Sequence, residues 1–65
     1  MEWTKPEIEN AIDTYIVGRN AKRNREILRE RLIDGTTHEK LAEKYDMSAR
    51  QIKNIIKNGQ LKLFH

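Results

Sequence analysis

Four side chains raise the first chemical question: Arg50, Lys53, Asn54 and Lys57, within the stretch SARQIKNIIK. At helical spacing they share one face, while Ile52, Ile55 and Ile56 share the other. Their types match the edges of base pairs and the phosphates beside them. An arginine can bond O6 and N7 of guanine through both arms of its fork, and an asparagine N6 and N7 of adenine. Lysines at either position reach bases or neutralise phosphates. Ala49 offers a methyl group to thymine. Ser48, at the helix start, suits a backbone phosphate, because unbonded N–H groups point there. Gln51 is a weaker candidate, since a cap can occupy it.

Other chemistries find no residues to carry them. There is no cysteine, hence no disulfide framework, thiolate zinc site or cysteine nucleophile. His38-Glu39 begins like the zinc-protease pattern H-E-x-x-H, but Ala42 stands where the second histidine belongs. His38 and His65 are the only histidines, and no glycine-rich phosphate loop exists. The expectation is no enzyme, no metal, no cofactor and no small-molecule substrate.

Charge points the same way as the candidate face. The chain carries +3 overall, with a pI near 9.5. Residues 1–46 hold nine Lys/Arg against ten Asp/Glu, while residues 47–65 hold Arg50, Lys53, Lys57 and Lys62 and no acid. A second basic run, RNAKRNR, spans Arg19 to Arg25. Clustering of this kind is the footprint of a phosphate-binding face. Arg19, Lys22, Arg23 and Arg25 are therefore candidate phosphate contacts, as is Thr37, although RNAKRNR reads equally well as a solvated connector. Arg29 and Arg31 alternate with Glu26 and Glu30 and are expected to form i,i+4 surface pairs.

Positioning these residues takes helices, whose starts are clearly marked. Ser or Thr followed three residues later by Glu or Gln forms a capping box at Thr4–Glu7, Thr36–Glu39 and Ser48–Gln51. Pro6 suits a first helical turn. Gly18, Gly35 and Gly59 read as stops. Helices are expected over 5–17 (inward stripe Ile8, Ile12, Tyr15, Ile16), 21–34 (Ile27, Leu28, Leu32), 37–45 (Leu41, Ala42, Tyr45) and 49–58 (Ile52, Ile55, Ile56). Asn20 is a candidate cap for the second, and the sequence leaves open whether the first two run together through GRNAK. Trp3, just before a Thr cap, is expected to staple onto Ile8. The tail 60–65 either packs back or frays.

KLAEKYDMSARQIKNIIK has the pattern of a helix-turn-helix. Ala42 is the small residue at the close approach, Asp46 takes the turn position usually held by glycine, Met47 plugs the turn, and Ile52 and Ile55 receive the packing. The longer stretch from Arg25 to Lys57, REILRERLIDGTTHEKLAEKYDMSARQIKNIIK, resembles the C-terminal DNA-binding region of sigma-70-type factors and is similar to response-regulator output domains. Departures are Asp46 and the less acidic Thr37-His38-Glu39, and the first twenty residues have no obvious family equivalent. The resemblance implies that 49–58 is the recognition helix.

The expected fold is all-α: a single small four-helix domain over 1–65 containing a helix-turn-helix, a homeodomain-like bundle. Its core should supply only about 3–5 kcal/mol of net stability. The expected function is sequence-specific binding of double-stranded DNA by a small cytoplasmic regulator of transcription, of the kind phages and mobile elements carry. A second copy or RNA polymerase is a further expected partner, and no membrane is. The rival reading is a helical protein-interaction adaptor that docks through the acidic first helix and the LKLF tail.

Overall fold

A computed structural model describes residues 3–64, which form four helices and no strand. They are α1 (Lys5–Tyr15), α2 (Ala21–Leu32), α3 (His38–Lys44) and α4 (Ala49–Phe64). Helix α4 packs along α2 and α3, and α1 lies across α2 and α4. Each helix gives at least one fully enclosed side chain to a common core: Ile12, Ile27 and Leu28, Leu41, and Ile52. Enclosing one such side chain stabilises the fold by about 1.5–3 kcal/mol. Among the described residues no polar side chain is buried.

The first helix begins as its capping box dictates. Thr4 Oγ1 accepts from the Glu7 N–H at 3.3 Å, and Glu7 Oε1 accepts from the Thr4 N–H at 3.2 Å. It ends two residues before the expected limit. Ile16 turns into extended backbone (φ −92°, ψ 96°) and swings inward to a buried place. Tyr15, expected on the inward stripe, is left 54% exposed, and Ala11 is buried instead. Gly18, at φ +110°, completes the break between α1 and α2. Asn20 precedes α2, but its side chain makes no capping bond. Trp3 meets Phe64 edge-on, with ring centroids 5.0 Å apart and planes at 86°. Its aromatic partner comes from the far end of the described residues, and Trp3 and Ile8 both pack against the core.

The main departure is the length of α4. Gly59 does not stop it; the helix continues through the expected tail to Phe64. Gly59 is buried, and a Cβ built there would lie 2.5 Å from Leu28 Cδ1 and 2.8 Å from Cδ2. This glycine is therefore an approach point where α4 closes on α2, with Ile52 and Ile56 before it and Leu63 after it on one buried stripe. The tail packs because Leu63 continues that stripe, one helical step beyond the glycine.

Candidate nucleic-acid interface

The turn between α3 and α4 fixes where the candidate face begins. Asp46 adopts φ +53°, a left-handed conformation that aspartate tolerates better than most residues. Around it the Met47 N–H donates to the Ala42 carbonyl at 2.9 Å and the Asp46 N–H to the Glu43 carbonyl at 3.4 Å. These are the two bonds of a Schellman ending, which satisfies carbonyls that a helix end leaves orphaned. Ala42 and Met47 both pack against the core beside this turn. Ser48 then starts α4. Its Oγ accepts from the Gln51 N–H at 3.1 Å, and Gln51 Oε1 accepts from the Ser48 N–H at 2.9 Å. The side-chain oxygen of Gln51 is thereby occupied by the cap.

With the start fixed and Ile52 and Ile56 turned inward, Arg50, Lys53, Asn54 and Lys57 are all exposed. Ala49 is half-buried at the edge of the face, and Ser48 is exposed. Among the described residues, no salt bridge or side-chain hydrogen bond engages Arg50, Lys53, Asn54 or Lys57, and the first turn of α4 holds no acid. The face therefore combines unneutralised positive charge, donors in a row and a helix start whose dipole favours anions.

Helix α3 is held against α2 by a polar cluster at its C-terminal end. Lys44 Nζ donates to Glu30 Oε1 at 2.7 Å, and the Tyr45 hydroxyl donates to Glu30 Oε2. Burial alone would raise the Glu30 pKa, but the bonds from Lys44 and Tyr45 and the Lys44 charge outweigh it, so the carboxyl lies below its ordinary range. Burial, followed by the bond to Glu30, pushes the Tyr45 hydroxyl well above the ordinary tyrosine value. Tyr45 was expected as a core residue and is half-buried, with its hydroxyl committed to this cluster. Glu30 and Tyr45 lie fifteen residues apart, one on α2 and the other at the end of α3, so local spacing carried no signal of their pairing.

The cap of α3 sits one residue later than the box Thr36–Glu39 suggested. Thr37 is the N-cap, and its Oγ1 accepts from the Lys40 N–H at 3.2 Å. It is exposed. In the second basic run the residues separate. Arg19 and Lys22 line one shallow concavity with Arg23. The Arg23 guanidinium bonds Asn24 Oδ1 at 3.1 and 3.3 Å. Arg25 is turned toward α1, where its Nε donates to the Ile16 carbonyl at 2.7 Å and its Nη2 to the Asp13 carbonyl at 3.4 Å. It satisfies carbonyls at the end of that helix, where orphaned groups are expected.

The expected i,i+4 pairs on α2 do not form. Arg29 bridges to Asp13 of α1 at 2.8 Å, and Arg31 donates to the Thr36 carbonyl at 3.2 Å. Longer-range acceptors engage both guanidinium groups in place of the neighbouring turn. Among the described residues, no group of three His, Cys, Asp or Glu side chains converges to hold a metal ion, and no helix is long and apolar enough to cross a membrane.

No curated protein and no solved structure matches the chain. The family model of sigma-70 region 4, a helix-turn-helix DNA-binding region, matches residues 21–65. The match begins at the first residue of α2 and leaves α1 outside it. It covers the turn at Asp46, the capped start at Ser48 and the exposed face of α4, and by it the chain belongs to the sigma-70 region 4 family.

Proposed function

We propose that this chain binds double-stranded DNA sequence-specifically, with α4 in the major groove, and thereby regulates transcription. The observation that carries the reading is the outward face of α4: Arg50, Lys53, Asn54 and Lys57, exposed and unengaged by other described side chains. From Arg50 to Lys57 the helix rises about 10 Å, which fits along a groove about 12 Å wide. Arg50 is assigned to guanine and Asn54 to adenine, with each well-made pair giving about 1–3 kcal/mol of discrimination against a wrong base. Lys53 and Lys57 serve bases or phosphates, Ala49 a thymine methyl, and Ser48 with Thr37 the phosphates at the helix starts. Arg19, Lys22 and Arg23 are assigned to phosphates further along the backbone. Arg25 is left out of the interface, because its guanidinium already holds the end of α1.

Selection of bound duplexes from a random pool, followed by titration at two salt concentrations, tests this. Binding should weaken steeply as salt rises. Arg50→Ala or Asn54→Ala should relax base preference, while Lys57→Ala should weaken all sequences alike and reduce the salt slope by about one. Absence of enrichment, or unchanged binding when Arg50 and Lys53 are both removed, overturns the assignment.

A further inference from the structure

Because Gly59 does not end α4, the helix carries one more side chain onto its outward line. That line runs Arg50, Asn54, Lys57 and then Leu61, at steps of four, three and four. Leu61 is 59% exposed. Among the described residues the large apolar side chains left exposed are Tyr15, Val17, Leu61 and Phe64. Tyr15 and Val17 stand at the end of α1, and Phe64 is tied edge-on to Trp3. Leu61 is therefore bare carbon on a line otherwise made of donors and positive charge.

We propose that Leu61 packs on a deoxyribose of the backbone that walls the major groove, where α4 leaves it. The inference rests on the DNA reading of α4. Length places the contact. Lys57 stands about 10 Å along the helix from Arg50, within a groove about 12 Å wide, whereas Leu61 stands about 16 Å along. On that placement Leu61 has passed the base edges and lies over the strand beyond them. Chemistry fits the same place. The backbone alternates anionic phosphate with a sugar whose faces are C–H, and at least half of protein–DNA hydrogen bonds go to these two groups. Leu61 shares one open depression with Lys57, Gln60 and Phe64, so carbon stands beside an ammonium and an amide able to donate to the flanking phosphates. Residues 47–65 hold no acid to repel them.

Area argues against a protein at this spot. A single half-exposed leucine offers far less than the roughly 800 Å² per partner of a stable interface. On a duplex it only extends a contact that the rest of α4 already makes. An apolar contact of this kind releases no counterion and meets no base edge. It therefore adds affinity alike on every sequence, leaves the salt slope unchanged, and fixes how far along the groove the helix comes to rest.

The test titrates the selected duplex at several salt concentrations with Leu61→Ala, Leu61→Lys and, as a comparison off this face, Val17→Ala at a side chain 61% exposed. Leu61→Ala should bind about fivefold more weakly, for roughly half a leucine left unburied, with an unchanged salt slope. Val17→Ala should bind as the natural chain does. Leu61→Lys should steepen the slope by about one, because it brings an ammonium to the same backbone. Duplexes trimmed stepwise from the end beyond Lys57 locate the contact: the difference between the natural chain and Leu61→Ala should vanish once the strand under Leu61 is gone. Equal binding by the natural chain and Leu61→Ala overturns the proposal. So does a loss that persists on every trimmed duplex, which makes Leu61 structural. A loss that disappears when one thymine is replaced by uracil overturns it in favour of a base contact, since only the methyl group differs. Failure of the natural chain to bind any duplex strikes the DNA reading itself, and is distinct from equal binding.

Discussion

Gly59→Ala tests the architecture at its tightest point. A methyl group there falls 2.5 and 2.8 Å from the two terminal carbons of Leu28 and 3.1 Å from its Cγ. Leu28 is fully enclosed, and its terminal carbons must shift to admit the methyl group. Overpacking of this kind costs about 1–3 kcal/mol. Alanine in place of glycine inside a helix contributes about 1 kcal/mol in the opposite direction. The expected net loss is about 1 kcal/mol, read as a shift in the urea midpoint. A glycine that merely ended a helix would give a similar loss, so the single variant is not decisive. The decisive background is Leu28→Val, which lacks both clashing carbons and itself costs about 1 kcal/mol. There the added methyl occupies vacated space, only the helical gain remains, and Gly59→Ala should stabilise by about 1 kcal/mol. The coupling is about 2 kcal/mol, within the range for residues in contact. The same penalty in both backgrounds would refute the close approach and return Gly59 to the role of a helix end.

Three further outcomes follow from local geometry. Asp46→Gly should stabilise by about 0.5–1 kcal/mol and Asp46→Ala should not, because only glycine occupies φ +53° freely; thermal melting of the pair checks it. Glu30 binds its proton more weakly folded than unfolded, so its stabilisation is present above the ordinary glutamate value of 4.5 and is lost as pH falls through the depressed folded value. Urea midpoints across that acid window should fall less for Glu30→Gln than for the natural chain, and parallel curves would refute the assignment. Arg25→Met should cost about 1.5–3 kcal/mol by orphaning the carbonyls of Ile16 and Asp13, and should speed amide exchange in α1 ahead of α2 and α4.

The sequence was most legible where structure is made by neighbours. The boxes at Thr4–Glu7 and Ser48–Gln51 form as their spacing implied, and so does the left-handed turn at Asp46. From these alone the outward set on α4 could be named. Legibility failed where a residue answers to something distant. Gly59 carries the same signature as a stop, and only Leu28, brought alongside by folding, makes it an approach point. The LKLF segment reads as a tail until Leu63 is seen extending the buried stripe. Arg25 and Arg29 look like members of a basic run and a surface pair, yet both are engaged by α1. The box read at Thr36–Glu39 gave way to a cap by Thr37, one residue later.

The two halves of α4's circumference have separate obligations. Ile52, Ile56, Gly59 and Leu63 answer to the core, and Gln51 to the cap, whereas Arg50, Lys53, Asn54 and Lys57 are exposed and make no salt bridge or side-chain hydrogen bond among the described residues. On the proposed DNA reading, recognition can therefore drift while stability holds. A library varied at those four positions alone should fold almost throughout while diverging in the sites its members prefer. On that reading the domain is a fixed chassis with an exchangeable strip.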